Sequence, residues 1–409
     1  MEDKTICKGL SVTAIVLIAV SVLLLCFNTT NGYLYGDKTT FYGIPFIAAF
    51  AVPLLMILIL LSHYIGSTDT VEDMIASIAV RYAIFGWFFL FGLKFSVDLM
   101  EIFFADFFYE HFSSIYLIMN SFNVAVVGTL VLSLTLRKLP AVKIEKRKLK
   151  VGQLLLLIMM MYGITQVGSV MGLPIHFVLT SFSPSDESDL GGKLATMLFD
   201  SNTVIRIITV GIIPAVFEEL LFRKFLIDRT IRHGEFISCA MSGIMFGLWH
   251  GNFQQFFYAF FIGVLLAFVY IRTGNIIYTM IMHASMNLVT TTVTLQLVYE
   301  LLTRMGLDLS SGTFNKDIDY DEMIRSIVPL LLIMFLWVII LSGFQIAGFI
   351  LTIVKRRKFK LVTVEGEPGR KELLHKLTHS VEMWVFFTFA IMLFVYSYLP
   401  EIVAFILSE

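Results

Sequence analysis

Residues 211–229 read GIIPAVFEELLFRKFLIDR and begin as an apolar segment of the kind that crosses a membrane. Two adjacent carboxylates, Glu218 and Glu219, interrupt this segment, and Arg223 follows four residues after the second. A charge in hydrocarbon costs on the order of 3 kcal/mol, so ionisable residues inside a membrane are functional candidates by default. The stretch therefore predicts a membrane helix that carries a functional site.

The composition of the whole chain predicts a membrane protein. Of the 409 residues, 57% are hydrophobic and only 15% are charged, and the mean hydropathy is +0.84. The apolar residues fall in runs of about twenty, the length that crosses ~30 Å of hydrocarbon as a helix. These runs lack the alternation of a membrane β-barrel. We therefore expect an all-α, polytopic bundle of transmembrane helices embedded in membrane lipid.

About eleven spans can be delimited, and the charges of the loops orient them. The spans are residues 10–28, 45–63, 76–98, 113–136, 151–172, 202–227, 236–251, 255–272, 276–297, 327–354 and 382–407. The loops after spans four, six and ten are basic, whereas SPSDESD after span five and NKDIDYDE after span nine are acidic. Basic loops stay in the cytoplasm. We therefore expect a cytoplasmic N-terminus and a multi-pass protein of the plasma membrane, although the acidic loop GSTDTVEDM falls on the cytoplasmic side.

Three regions follow from the distribution of polar residues. Residues 1–200 contain five spans, residues 201–297 contain four, and residues 298–409 contain two. The unusual intramembrane polar residues fall in the central region, which is the predicted functional core. The net charge of −1 gives no reason to expect nucleic acid as a partner, and the three cysteines have no paired spacing that indicates a disulfide framework.

Two of the eight histidines, His250 and His283, lie within the predicted helices of the central region. Phe246 precedes the first by four residues and Asn287 follows the second by four, and residues at this spacing share a helix face. At ~1.5 Å per residue, Glu218 and the two histidines reach similar depths in the inner to middle membrane. These polar side chains therefore predict one pocket.

The two glutamates have different expected roles. Glu219 and Arg223 are spaced to pair on one helix face, which spares both from burial as lone charges. Glu218 lies ~100° around the helix and is free to act as a general base beside imidazoles. Each residue also has a structural explanation: the ion pair as a helix end, His283 and Asn287 as interhelical hydrogen-bonding groups, and Phe246 as packing. Their joint occurrence at one depth favours a site.

The segments EELLFR (218–223), FGLWH (246–250) and HASMN (283–287) resemble, in order, the three motifs of the CPBP family of intramembrane proteases. This family includes CAAX prenyl endopeptidases as well as bacteriocin-processing and self-immunity proteins. The resemblance covers residues 203–292, about a quarter of the chain. It implies an intramembrane endopeptidase that hydrolyses a peptide bond of a membrane-associated protein or peptide.

The resemblance also implies a role for each motif residue. Glu218 and His250 would activate a water molecule. His283 and Asn287 would stabilise the oxyanion, where electrostatic catalysis is most effective. Glu219 and Arg223 would orient the site, with Phe246 as a further supporting residue.

Metal dependence remains open between two mechanisms. Glu218, His250 and His283 could ligate zinc with an open fourth position. The zinc-protease signature His-Glu-x-x-His is absent, and we favour a glutamic-type site without a cofactor. Two other functions compete with the protease: a catalytically silent scaffold or immunity protein of the same family, and a proton-coupled transporter. The lack of internal repeats argues against the transporter.

Overall fold

The structure is a computed structural model that describes residues 2–35, 40–180, 197–308, 313–314, 319–364 and 367–408. Twelve helices of ten or more residues form the bundle within these ranges. They are α1 (Glu2–Tyr35), α2 (Thr40–Tyr64), α3 (Val71–Glu110), α4 (Phe112–Leu136), α5 (Val151–Thr180), α6 (residues 203–230), α7 (Glu235–Trp249), α8 (Phe253–Thr273), α9 (Ile276–Arg304), α10 (Tyr320–Lys355), α11 (Arg370–His379) and α12 (Val381–Ser408). The only strands described, β1 (Leu307–Asp308) and β2 (Thr313–Phe314), form a short antiparallel ladder.

The predicted all-α membrane bundle is confirmed. Each of the eleven apolar runs falls on a helix, from α1 to α10 together with α12. Among the described residues, eight helices are long and apolar enough to cross a membrane. Three of the eleven helices are not among these eight. The apolar parts of α2 and α7 are shorter, and α6 is interrupted by π-helical turns. The number of eleven spans therefore stays a prediction, as does the division into three regions.

The helices pack so that the central region is covered on both sides. α7 and α8 form a closely packed pair, and α8 also packs on α5, which in turn contacts α10. α12 packs on α1 and α3. The spans before and after the central region therefore contact one another, and α6 lies against α3, α4, α7 and α9.

The basic loops meet at one end of the bundle. Val142 in the loop after α4 donates its N–H to the Asp228 carbonyl at 2.6 Å, and Arg147 donates its N–H to the Thr273 carbonyl at 2.7 Å. The acidic segment at the start of α3 lies at this same end, where Glu72 pairs with Lys376 of α11 at 3.2 Å. The Glu72 carboxylate is therefore paired with a cation at this end of the bundle. The acidic loop at 183–189 and residues 315–318 of the second one lie outside the described residues.

α10 lies at the edge of the bundle and is held by a close helix crossing. Only Ile327, Leu330 and Gly348 of this helix are buried. A Cβ on Gly348 would lie 1.8 Å from the Met159 carbonyl oxygen, and a Cβ on Gly163 of α5 would lie 2.2 Å from a backbone nitrogen of α10. Small residues let membrane helices approach to this degree. We call this contact the Gly163–Gly348 crossing.

We expect Gly348→Leu to push α10 away from α5, because the new side chain would overlap backbone that cannot rotate aside. Overpacking of this kind costs about 1–3 kcal/mol. The measurement is the apparent melting temperature in detergent, which should fall by several degrees. Gly343→Leu on the same helix is the control, since no atom of another described helix lies within 4 Å of its Cβ position. Equal melting temperatures for the two variants would contradict the crossing.

Candidate active site

The helix that carries the two glutamates is irregular on both sides of them. α6 contains two π-helical turns, Ile207–Ile212 and Leu220–Phe225, and the α-helical segment Ile213–Glu219 lies between them. Such turns are frequent at functional sites because they disturb the regular ladder of backbone hydrogen bonds. A buried carbonyl without a donor is costly, so neighbouring groups must supply the missing bonds.

The missing N–H of Pro214 explains why side chains of other helices donate hydrogen bonds to the first π turn. Proline has no N–H, so residue 214 can donate neither to the Val210 carbonyl four residues earlier nor to Thr209 five residues earlier. Asn287 Nδ2 of α9 donates to the Val210 carbonyl at 3.1 Å, and Ser121 Oγ of α4 donates to the Thr209 carbonyl at 2.7 Å. Two neighbouring helices thus supply bonds to the backbone that Pro214 leaves without its N–H.

The second π turn receives donors from two further helices. Tyr82 of α3 is fully buried, and its hydroxyl donates to the Leu221 carbonyl. Ser242 Oγ of α7 donates to the Phe222 carbonyl at 3.0 Å. Both π turns of α6 are therefore fixed by polar side chains from α3, α4, α7 and α9.

The ion pair predicted from the i,i+4 spacing is confirmed. Arg223 Nε lies 3.2 Å from Glu219 Oε2, and the exposure of both side chains is 0%. The guanidinium also lies over the ring of Phe246, with Cζ 4.4 Å from the ring centroid. Breaking a fully buried pair by removing one partner typically costs about 3–5 kcal/mol. Removal of either Glu219 or Arg223 would therefore leave the other as a lone buried charge.

His283 lies between the two glutamates. Its Nδ1 is 3.0 Å from Glu219 Oε1, and its Nε2 is 3.9 Å from Glu218 Oε2. Because a carboxylate only accepts hydrogen bonds, Nδ1 carries the proton that is donated to Glu219. Glu219 thus binds Arg223 with one oxygen and His283 with the other, and it fixes the orientation of the imidazole.

His250 stands at the end of a helix and not inside one. α7 ends at Trp249, where Gly251 adopts the positive φ of 63° that terminates a helix. The fifteen residues of α7 rise ~22 Å, less than the ~30 Å thickness of the hydrocarbon core. His250 Nδ1 donates to the Phe246 carbonyl at 2.8 Å, since a carbonyl only accepts. In the neutral imidazole Nε2 then keeps its lone pair.

The structure brings the side chains predicted to form a pocket into one cavity. This motif cavity, about 480 Å³, is lined by Glu218, Phe246, His250, His283 and Asn287 among others. Buried Glu219 and Arg223 lie behind it. The volume is in the range of small-ligand sites.

A second cavity of about 570 Å³ adjoins the motif cavity and includes residues of α1, α3, α4 and α12. Glu218, His250, Asn120 and Gln255 line both cavities. The two predicted water-activating residues therefore stand at the junction of two chambers, where an extended chain could pass them on both sides.

A catalytic zinc site would need Glu218, His250 and His283 to converge on one point with an open fourth position. Among the described residues, no group of three or more His, Cys, Asp or Glu side chains is arranged to hold a metal ion. His283 donates a hydrogen bond through Nδ1 to Glu219, which leaves Nε2 as the ring nitrogen without this bond. The absence of a cofactor stays a prediction.

Comparison with known proteins identifies the segment that contains this geometry. Residues 200–289 match the family model of the Rce1-like type II CAAX prenyl endopeptidases. The resemblance predicted from the three motifs is thereby confirmed. The match spans α6, α7, α8 and the part of α9 that contains His283 and Asn287, and it supports a CAAX-type intramembrane protease. Comparisons with curated proteins and with solved structures gave no match.

Two groups of residues were not identified from the sequence. One group donates hydrogen bonds to the backbone of α6, and the other lines the junction of the two cavities. Tyr82, Ser121 and Ser242 are ordinary members of apolar helices, and no motif marks them. Asn120 and Gln255 had one available signal, which is an uncharged polar side chain in or beside an apolar run. Pro214 was the signal for the irregular backbone, because its missing N–H requires outside donors.

We expect Tyr82→Phe to destabilise the protein, because the buried Leu221 carbonyl would lose its donor. An unsatisfied buried group costs about 1–3 kcal/mol, and the melting temperature in detergent should fall accordingly. Tyr278→Phe is the matched control: its hydroxyl accepts the Leu149 N–H at 3.1 Å, away from α6. If Tyr278→Phe lowered the melting temperature as much as Tyr82→Phe, the Tyr82 hydroxyl would have no special role in stabilising the second π turn.

Proposed function

We propose that this protein is an intramembrane endopeptidase of the CAAX type that cleaves a membrane-associated protein or peptide. The observation that carries the proposal is the single cavity that receives Glu218, His250, His283 and Asn287 inside the matched segment. The matched family model is that of prenyl endopeptidases, and we infer that a substrate anchored by a lipid group would present its peptide bond at this depth.

In this proposal Glu218 and His250 activate the attacking water. Both line the motif cavity, and the neutral His250 imidazole donates through Nδ1 to a backbone carbonyl and keeps Nε2 as an acceptor. Glu218 has no ion-pairing arginine or lysine among the described residues, in contrast to Glu219. A carboxylate that is free of such a partner remains able to accept a proton from water.

His283 and Asn287 would stabilise the oxyanion. Asn287 has two N–H donors, and one of them is used on the Val210 carbonyl, which leaves the other for a developing negative charge. His283 donates through Nδ1 to Glu219, so it can donate through Nε2 only as an imidazolium. In that form two cations, Arg223 and His283, balance two anions, Glu218 and Glu219. A balanced buried cluster avoids an uncompensated charge.

The scaffold alternative places the same residues in a protein that binds a peptide without cleaving it. No contact of the described residues favours it over hydrolysis, because Glu218 and both histidines line one cavity. Proteolysis that depends on Glu218 separates the two functions.

We further infer that the N-terminus lies in the cytoplasm of a plasma-membrane protein. Support comes from the loops after α4, α6 and α10, which are basic and meet at one end of the bundle. We expect a cysteine placed at Lys143 or Arg357, in a variant without native cysteines, to react only with reagents that reach the cytoplasm. Labelling of both positions from outside would reverse the orientation.

We expect Glu218→Gln to abolish proteolysis while the protein still accumulates in the membrane, because the base is lost while the buried Glu219–Arg223 pair stays intact. Comparative proteomics of membranes with wild-type and variant protein should show cleavage products that vanish. Glu219→Gln should lower both activity and detergent stability, since Arg223 would lose its carboxylate. Glu300→Gln, in an exposed pair with Arg304, is the control and should change neither. Near-normal turnover by Glu218→Gln would remove Glu218 from the mechanism.

A metal-free site should resist strong chelators, and elemental analysis should find less than stoichiometric zinc in active protein. His283→Ala and Asn287→Ala should then each slow the chemical step by ~10²-fold or more, as for a lost oxyanion donor. Substrate binding should be largely spared, because the donors act on charge that develops only in the transition state. Stoichiometric zinc, with activity that follows its removal and return, would instead establish the zinc-type enzyme.

A further inference from the structure

A cavity of about 410 Å³ lies between α5, α8 and α10, apart from the motif cavity. Val167, Val264, Phe268 and Phe349 line it, and so does Arg356, the residue directly after α10. Apart from Cys239, Thr352 and Arg356, every lining residue has a hydrocarbon side chain. We call it the α10 cavity. Its lining matches an alkyl chain and not a polar ligand.

The α10 cavity and the motif cavity are distinct. They share no lining residue. On α10 the motif cavity is lined by Leu341 and Gln345, the α10 cavity by residues from Phe349 onward, and Gly348 of the helix crossing lies between them. A ligand of the α10 cavity is therefore not explained by the proposed proteolysis.

Arg356 is the one charged residue among those that line this apolar cavity. Arg356, Arg357 and Lys358 form a single exposed turn directly after α10. Among the described residues no carboxylate forms an ion pair with Arg356. Nearby Arg272, in contrast, is bound to Glu235 Oε2 at 2.7 Å. The charge of Arg356 is thus available to a group outside the chain.

We propose that the α10 cavity binds an acyl chain of an anionic phospholipid, with the lipid phosphate on the Arg356 guanidinium. An apolar chamber with a cation at the membrane-surface end complements a molecule that has a long alkyl chain and a phosphodiester. Guanidinium groups bind phosphate through paired N–H donors. The neighbouring Arg357 and Lys358 favour a headgroup with net negative charge over a zwitterionic one.

The test is lipid retention, which does not depend on proteolysis, so its failure and failure of the proposed function are distinguishable. The protein is reconstituted with equal amounts of phosphatidylglycerol and phosphatidylcholine, extracted in mild detergent and analysed by native mass spectrometry. We expect one phosphatidylglycerol to be retained preferentially. Arg356→Ala should lower its retention by about fivefold or more, from the ~1 kcal/mol that a cation near the surface contributes and the loss of direct phosphate contact.

Two matched pairs of variants locate the site. Arg357→Ala removes a cation from the same turn that does not line the cavity, so it should lower retention clearly less than Arg356→Ala does. Val167→Trp fills the cavity from α5 and should displace the lipid, whereas Val170→Trp, three residues further along, should not. Val167 and Val170 are 37% and 54% exposed, so both variants should fold, which elution as a single species checks.

Three results would overturn the proposal. Equal retention of phosphatidylcholine would remove the anionic preference. Equal loss in Arg356→Ala and Arg357→Ala would show a diffuse basic surface. Retention that survives Val167→Trp, or that inorganic phosphate alone abolishes, would show that no acyl chain occupies the cavity.

Discussion

The burial of Glu219 is the constraint on which the rest of the structure depends. Its side chain is completely buried in a helix surrounded by apolar residues, where a lone carboxylate would be prohibitively costly. Arg223 on the same helix compensates one oxygen, and His283 on α9 donates to the other. This second contact joins two helices at a fixed distance and rotation. The imidazole that reaches Glu218 is thus placed by the carboxylate beside it.

The irregular backbone of α6 extends this constraint to the flanking spans. The four side-chain donors to its π turns come from four helices, and two of them, Tyr82 on α3 and Ser121 on α4, lie outside residues 200–289. A buried backbone carbonyl needs a hydrogen-bond donor, whether or not that donor lies within the segment that matches the family. The first spans therefore contribute to the site without contributing motif residues, as supports for the helix that carries Glu218.

The sequence predicted the parts of this arrangement that depend on one helix at a time. Apolar runs located the helices, and i,i+4 spacing paired Glu219 with Arg223 because both lie on one rigid face. The contact between Glu219 and His283 joins two helices, and it depends on rotations that no local spacing determines. The position of His250 at the end of α7 also escaped prediction, since the positive φ of Gly251 ends the helix two residues before the apolar run does. Tyr82 could not be found, because one tyrosine in an apolar helix has many possible partners.

Asn287 connects the irregular backbone with the proposed chemistry. One of its amide hydrogens is directed to the Val210 carbonyl, which cannot receive a bond from Pro214, and its side chain also lines the motif cavity. The same amide therefore holds α6 against α9 and is available to a substrate. A donor fixed in this way loses little freedom when charge develops, which is the condition for electrostatic stabilisation of a transition state. Because Val210 and Glu218 lie on one helix, the bond also fixes Asn287 relative to Glu218. The missing N–H of Pro214 thus leaves the Val210 carbonyl free to bind Asn287. The irregular backbone of α6 is therefore part of the geometry of the site.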